Sequence, residues 1–297
     1  MNLEIADKPS LKECTSLRLG GNAIIGVTLK SEAGLEYLPE ILAGCPGAPF
    51  VIGRGSNILA REGELALALI GLKTQELPEI IREDSTSVTV SVSAAFPLPL
   101  LLHFTSEHGL GGLEGLMGIP GTVGGAVSMN AGSFGTEIGN FIEQITVFTP
   151  GNGLLNKKAD EIKSEYRKFS FSGEEKASYH IIWKVSLRLP KDDRQKVRER
   201  MSGIMRKKQE TQPICAASAG CIFKNPAPDA PAGMLLDKCG FKGKALGGMM
   251  FSPMHANFLI NRGNGSSEEA LELISVARAA VKENFGHDLQ LEVKVIP

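Results

Sequence analysis

Long apolar runs are missing from this sequence of 297 residues, and so is any surplus of charge: hydrophobic residues make up 42%, charged residues 22%, and the formal net charge is -1. No segment has the uninterrupted apolar length, about 20 residues, that a bilayer-crossing helix needs. A chain so close to neutral carries no strong positive field, so nucleic acid is not an expected partner. Cysteine is scarce. Cys14, Cys45, Cys215, Cys221 and Cys239 are odd in number, scattered and never in a C-x-x-C pair, which argues against a disulfide framework and against a zinc site, and no metal is expected. Internal repeats and low-complexity tracts are absent. The opening MNLEIADKPS has acidic residues and no apolar core followed by a small-residue cleavage site, so a secretory leader is not expected. Reduced thiols in the cytoplasm fit this composition.

What is present suggests two domains, since the chain is too long for one minimal domain and short for three. Glycine punctuates short runs of strand formers: IIGVTLK, PFVIG, SVTVSVSA, QITVFTP and YHIIWKVSLRLP, an α+β pattern. In SVTVSVSA, Val88, Val90 and Val92 share one face and Ser87, Thr89, Ser91 and Ser93 the other, as in a strand half buried against something apolar. From Lys191 the character changes. Val197, Met201, Ile204 and Met205 recur at helical spacing and Pro213 follows as a breaker, which predicts a helix and a domain boundary near residue 190. Domains are therefore expected over 1–190 and 191–297. Near the C-terminus SSEEALELISVARAAVKENFG predicts a helix with a capping box in Ser266 and Glu269, an apolar face through Leu271, Ile274 and Val281, and Gly286 as its stop. The closing LQLEVKVIP reads as a strand, with Leu289, Leu291, Val293 and Val295 on one face and Gln290, Glu292 and Lys294 on the other.

Two glycine loops are candidates for a ligand. Gly53, Arg54, Gly55, Ser56 and Asn57 follow the apolar run PFVI, so a turn with exposed N–H groups at a strand end could cradle a diphosphate; the same residues would also serve a plain tight turn. The motif is neither G-x-G-x-x-G nor the Walker pattern. The second loop, GLEGLMGIPGTVGGAVSMNAGSFG over 112–135, holds Gly118, Gly121, Gly124, Gly125 and Gly132, with Pro120 fixing one bend. So much glycine would weaken a strand or helix. It suits close backbone approach to a pyrophosphate, with Asn130 available for a polar contact, or else a glycine-rich surface loop.

Seven stretches in order, LRLGGNA (17–23), VIGRGSNIL (51–59), GLMGIPGTVGGAVSMNAGSFG (115–135), EYRKFSF (165–171), SAGCIFKNP (218–226), MHANFLIN (254–261) and LQLEVKV (289–295), resemble the UDP-N-acetylenolpyruvoylglucosamine reductase (MurB) family of bacterial cell-wall synthesis. The resemblance implies an FAD-binding domain of the vanillyl-alcohol-oxidase (PCMH) type followed by a smaller α/β substrate-binding domain. It implies non-covalent FAD, NADPH as co-substrate, and a small-molecule substrate, UDP-N-acetylglucosamine enolpyruvate; a monomer is expected. On the glycine loops it puts Gly53, Arg54, Gly55, Ser56, Asn57, Gly118, Ile119, Gly121, Thr122, Gly124, Gly125, Asn130 and Gly132 at the cofactor. Neither loop contains the His or Cys through which related oxidases tether flavin.

The resemblance also assigns chemistry. Cys221 stands where the family protonates the carbon next to the one that receives hydride. Many relatives have serine there, but a thiol, with an ordinary pKa of about 8.5, yields its proton more readily than an alcohol. Taken bare, Cys221 is a general acid, a small packing residue or a nucleophile, and no histidine lies in a context that would make it the last. Arg167 matches the arginine that pairs with the substrate carboxylate, although the family usually has serine where this chain has Phe169; taken bare it is a surface arginine. Glu292 matches the glutamate thought to stabilise the enol intermediate or relay its proton, and would otherwise be a solvated strand residue. Tyr166, Asn225, His255, Asn257 and one of Lys207 and Lys208 match positions facing the substrate. A histidine before Ala-Asn is also a common structural residue, and RKK a common solvated helix face.

The chain has three tyrosines, Tyr37, Tyr166 and Tyr179, all before residue 190, so it resembles the short form of the family, without the tyrosine-bearing loop over the nucleotide. Two rivals stand beside the reductase reading: an FAD oxidase or dehydrogenase of a hydroxy acid or sugar on the same fold, and a nucleotide-binding regulatory protein that lost the chemistry.

Overall fold

A computed structural model describes residues 2–174 and 177–297. They form two compact units. The first gathers Ile24–Gly53 and Ala66–Lys207 with the N-terminal segment up to Asp7; the second gathers Lys8–Ala23, Arg54–Leu65 and Lys208–Pro297. The chain is thus not cut once near residue 190. Val197 and Met201 are buried in a core of the first unit, while Leu17, Leu19 and Leu59 belong to the core of the second.

In the first unit a five-stranded antiparallel sheet runs in the order β11 (Gly153–Lys158), β10 (Ile142–Thr149), β14 (Ile181–Pro190), β7 (Ser87–Ser93), β6 (Glu79–Glu83). The central strand β14 pairs Val185 with Val92, Leu187 with Val90 and Leu189 with Val88. Its apolar run is covered on both faces, as a central strand requires: Val185, Leu187 and Leu189 enter one core and Ile181 and Trp183 another. In β7 Val88, Val90 and Val92 are all buried, but the strand is not half open as its alternation suggests: Thr89 and Ser93 on the other face are buried too. A second sheet orders β1 (Leu3–Asp7), β2 (Asn22–Leu29), β5 (Glu64–Leu72) and β3 (Ala48–Val51). Helices α2 (Leu38–Ala43), α3 (Leu98–Glu107) and α4 (Val123–Ser128) belong to this unit, as do two small hairpins, β8 (Gly132–Ser133) with β9 (Thr136–Glu137) and β12 (Ile162–Glu165) with β13 (Lys168–Phe171). The charged segment forms α5 (Arg194–Thr211).

The second unit holds α1 (Leu11–Cys14), a parallel pair of β4 (Ile58–Ala60) with β19 (Lys294–Ile296), and a four-stranded sheet ordered β15 (Ala217–Cys221), β18 (Phe258–Asn261), β17 (Met249–Phe251), β16 (Ala245–Leu246). Helices α6 (Ala232–Lys238) and α7 (Ser267–Phe285) accompany it. In α7 the capping box forms and Gly286 closes the helix at φ 73°, a left-handed conformation that glycine takes at no steric cost. Its buried face is Ala270, Leu273, Ile274, Ala277 and Val281, with Leu271 only half-buried.

The closing segment departs from the expected strand. Lys294–Ile296 forms a strand, Leu291 makes an isolated antiparallel bridge to Phe223, and Glu292 between them lies in a bend. The expected apolar face is kept, with Leu289 and Val293 in the core and Leu291 and Val295 packed against it; what is lost is continuous strand pairing at Glu292. The cause is a shared acceptor: the N–H groups of Glu292 and Val293 both approach the carbonyl of Ile222, at 2.8 and 3.4 Å, and two successive amides can turn to one oxygen only if the backbone bends.

Candidate active site

In the first unit Gly53, at the head of the first glycine loop, meets the second loop. A Cβ on Gly53 would lie 2.7 Å from Thr122 Oγ1, so the end of β3 and the start of α4 touch only because residue 53 has no side chain. Thr122 caps α4, its hydroxyl accepting from Gly125 N–H at 3.3 Å. Gly124 allows α4 to lie against β7, since a Cβ there would come within 2.8 Å of the Ala94 Cβ. The N–H groups of Val123 and Gly124 are spent on Phe96 and Ala94 carbonyls. Gly118 and Gly121 have φ of 80° and 140°, and Gly121 is buried, yet neither N–H takes a protein acceptor among the described residues. Backbone N–H groups left without a protein acceptor suit a phosphate-bearing ligand, so these residues fit a dinucleotide such as FAD. Ile119, half-buried, packs against the neighbouring core.

Further on, β12 and β13 form a hairpin closed by a two-residue turn, Tyr166 and Arg167. Arg167 has φ 55°, a left-handed backbone uncommon for a residue with a side chain. Its Nη2 donates to the Gly132 carbonyl at 2.8 Å and its Nη1 to the Asn130 carbonyl at 3.5 Å, and its guanidinium lies 5.1 Å from the centre of the Tyr166 ring. Phe169 faces the core. Asn130 itself is fully enclosed. Its Nδ2 donates to Glu137 Oε2 and the Glu165 carbonyl, and its Oδ1 accepts from Gly139 N–H. With these bonds made, its side chain is placed as a brace between segments rather than toward a ligand.

In the second unit, Gly55 has φ 59°, and a Cβ there would lie 2.2 Å from the Cys14 carbonyl. Ser16 joins this loop to β15, its N–H donating to the Gly55 carbonyl at 3.2 Å and its hydroxyl to the Ser218 carbonyl at 2.7 Å. Arg54 and Ser56 flank Gly55. Asn57 clasps the C-terminal bend from two sides, Nδ2 donating to the Glu292 carbonyl at 3.0 Å and its own carbonyl accepting from Lys294 N–H at 3.0 Å.

Cys221 ends β15 just after a bulge between Ser218 and Cys221, with Gly220 at φ 78°; a bulge re-aims the side chain that follows it. The next residue, Ile222, accepts from Glu292 N–H at 2.8 Å and donates to the Asn257 carbonyl at 2.8 Å. Cys221 and Glu292, far apart in sequence, therefore flank one backbone hydrogen bond. Asn257 is buried and its amide pairs with both main-chain groups of Phe223, at 3.0 and 2.8 Å, so it fixes the strand beyond Cys221. Asn225 accepts from Ala232 N–H at 3.0 Å through Oδ1 and is exposed. His255 accepts from Asn257 N–H at 3.2 Å through Nδ1. Burial, with Lys242 as a second cause, pushes its pKa down, which keeps the imidazole neutral. Lys207 is exposed in the first unit, its ammonium 5.3 Å from the centre of the Phe134 ring; Lys208, in the second, is almost wholly enclosed. Ser16 escapes a reading of the sequence because its partners, Gly55 and Ser218, lie in distant segments; Glu137 escapes it because no local motif marks its bond to Asn130.

The comparisons with known proteins agree with this geometry. Residues 44–157 match the profile of an FAD-binding domain, and residues 212–296 match the C-terminal domain of UDP-N-acetylenolpyruvoylglucosamine reductase. The chain is an FAD-dependent oxidoreductase. Two proteins named UDP-N-acetylenolpyruvoylglucosamine reductase, from Nitratidesulfovibrio vulgaris and Oleidesulfovibrio alaskensis, are each 44% identical to it; they align over 99% of this chain and over 99% and 98% of their own lengths. The crystal structure of the UDP-N-acetylenolpyruvylglucosamine reductase (MurB) from Thermus caldophilus superposes with a TM-score of 0.82 at 32% identity, covering 100% of both chains. The chain belongs to the UDP-N-acetylenolpyruvoylglucosamine reductase family.

Proposed function

We propose that this protein reduces UDP-N-acetylglucosamine enolpyruvate to UDP-N-acetylmuramate, an early step toward peptidoglycan, with NADPH as reductant. The observation that carries this reading is the 44% identity, over 99% of the chain, to a protein named as that reductase. The glycine loops would hold FAD without a covalent link, and when bound it would supply transfer of the hydride of NADPH to one carbon of the enolpyruvyl double bond. Negative charge then builds on the neighbouring carbon and the adjoining carboxylate. Arg167 pairs with that carboxylate, and its fixed guanidinium stabilises the charge where it develops. Cys221 donates the thiol proton to the neighbouring carbon, completing the addition of two hydrogens. Glu292 stabilises the enol intermediate or returns a proton to the site. Asn225, His255 and one of Lys207 and Lys208 are proposed to meet the nucleotide end of the substrate, with Tyr166 a further substrate contact.

Along the sequence, residues 1–190 are proposed to serve the flavin and residues 191–297 the substrate, a division of labour that does not coincide with the compact units. No helix among the described residues is long and apolar enough to cross a membrane; a cytoplasmic location is proposed because NADPH and UDP-sugars would be the reactants. The oxidase reading draws no support from the relatives.

The test is spectroscopic. The purified protein, loaded with FAD, should bleach with NADPH under anaerobic conditions and regain its colour when the enolpyruvyl substrate is added. Bleaching by a hydroxy acid or a sugar, with no response to NADPH, would overturn the proposal in favour of an oxidase or dehydrogenase.

A further inference from the structure

The hairpin that carries Arg167 has strands of four residues each, Ile162–Glu165 and Lys168–Phe171, too short to fix a turn without outside support. That support comes from Asn130. The residue is 0% exposed and has φ 40°, a left-handed conformation that asparagine tolerates better than most residues. From there its Nδ2 donates to Glu137 Oε2 at 2.9 Å and to the Glu165 carbonyl, at the root of the Arg167 turn, at 3.0 Å. Its Oδ1 accepts from Gly139 N–H at 3.0 Å. Space is as limited as bonding: a Cβ on Gly139 would lie 2.5 Å from Ser164 Oγ and 2.7 Å from Asn130 Oδ1. The guanidinium of Arg167 in turn reaches the carbonyls of Gly132 and Asn130, so the arm and its resting place are both tied to one amide.

We infer that Asn130, oriented by Glu137, is a positioning residue that sets the guanidinium of Arg167, and not a ligand of the cofactor. A carboxamide suits this place because it supplies two donors and an acceptor without charge. An aspartate would lose both donors and face Glu137 with a second carboxylate. The inference rests on the reading of Arg167 as the partner of the substrate carboxylate.

The experiment follows the two half-reactions by rapid mixing in the FAD-loaded protein: bleaching by NADPH, then recovery on adding UDP-N-acetylglucosamine enolpyruvate. Arg167→Ala should slow recovery by about 10² or more while bleaching stays near normal. Asn130→Ala should slow recovery by about 10 to 10², the cost of an ångström-scale misplacement. Added to Arg167→Ala it should have almost no further effect, because the arm it places is gone. Glu137→Ala should behave like a milder Asn130→Ala, and Glu137→Gln, which keeps an acceptor oxygen, should restore most of the rate. Normal recovery in Arg167→Ala would remove the role of Arg167 in the proposed function. Slow recovery in Arg167→Ala with normal recovery in Asn130→Ala, or with effects that multiply in the double variant, would overturn the positioning role alone. Should Asn130→Ala fail to fold, Glu137→Ala decides: recovery at the wild-type rate, or bleaching slowed as much as recovery, would overturn it.

Discussion

Loss of the Cys221 thiol separates a proton donor from a packing residue. Cys221→Ala should leave bleaching by NADPH close to normal and slow recovery by about 10² to 10⁴, the range for a positioned general acid. Cys221→Ser should keep substantial activity, because a hydroxyl can occupy the same place after the bulge. Normal recovery in the alanine variant, seen by stopped-flow absorbance, would remove Cys221 from the mechanism. His255 offers a second test at this scale. Its folded pKa lies below the ordinary value of 6.5, so below about pH 6.5 the unfolded chain binds the proton more readily. Stability should therefore fall as pH drops through that window and be fully present above it. Thermal unfolding between pH 7.5 and 5 should show a shallower loss in His255→Gln than in the wild type; parallel curves would show that His255 is not the group responsible.

Among the elements, α7 illustrates a helix whose ends are written in its own residues. Ser266 Oγ accepts from Glu269 N–H at 3.2 Å, and Glu269 Oε2 accepts from Ser266 N–H at 3.0 Å. Glu269 Oε2 also accepts from Gly248 N–H at 3.0 Å, tying the helix start to the turn before β17. Ser266→Ala should cost about 1 kcal/mol. Glu269→Ala should cost more, since it strands the Gly248 amide as well. Urea unfolding of the two variants checks the order, and a smaller loss for Glu269→Ala would show that the bond to Gly248 contributes little. The last strand shows the opposite case. LQLEVKVIP alternates as a strand should, but alternation only proposes a face. Asn57 and Ile222, neither of them local, supply the hydrogen-bond partners that bend the chain at Glu292.

For the whole molecule, the core of the second unit contains Leu17, Leu19 and Leu59 from the N-terminal half, and β19 has β4 as its parallel partner. A fragment spanning residues 208–297 lacks all of these. It should show no cooperative unfolding and rapid proteolysis, and a protected, cooperatively folding fragment would contradict this account. Within the full chain, Leu59→Ala should cost about 2 to 5 kcal/mol, as for other fully buried leucines. The flavin should also leave with denaturation: after acid precipitation the yellow colour belongs in the supernatant, and colour retained by the pellet would mean a covalent link.

The sequence by itself determined the family, through seven motifs in order, and it determined the elements whose signals are local. The capping box and Gly286 of α7, the valine face of β7 and the glycines that let β3 approach α4 are set by residue type and short spacing, because sterics and nearest-neighbour hydrogen bonds act over a few residues. Tertiary structure alone decided which polar groups remain for a ligand. Asn130 and Asn257 have the composition of ligand contacts, yet the amide of Asn257 is consumed by the backbone of Phe223 and that of Asn130 by the Glu137 carboxylate, the Gly139 N–H and the Glu165 carbonyl. It also decided that the stretches around Leu17 and Leu59 pack with the C-terminal part, and that Cys221 and Glu292 flank a single hydrogen bond. A buried amide must find partners, and which partners reach it depends on the path of the whole chain rather than on its neighbours in sequence.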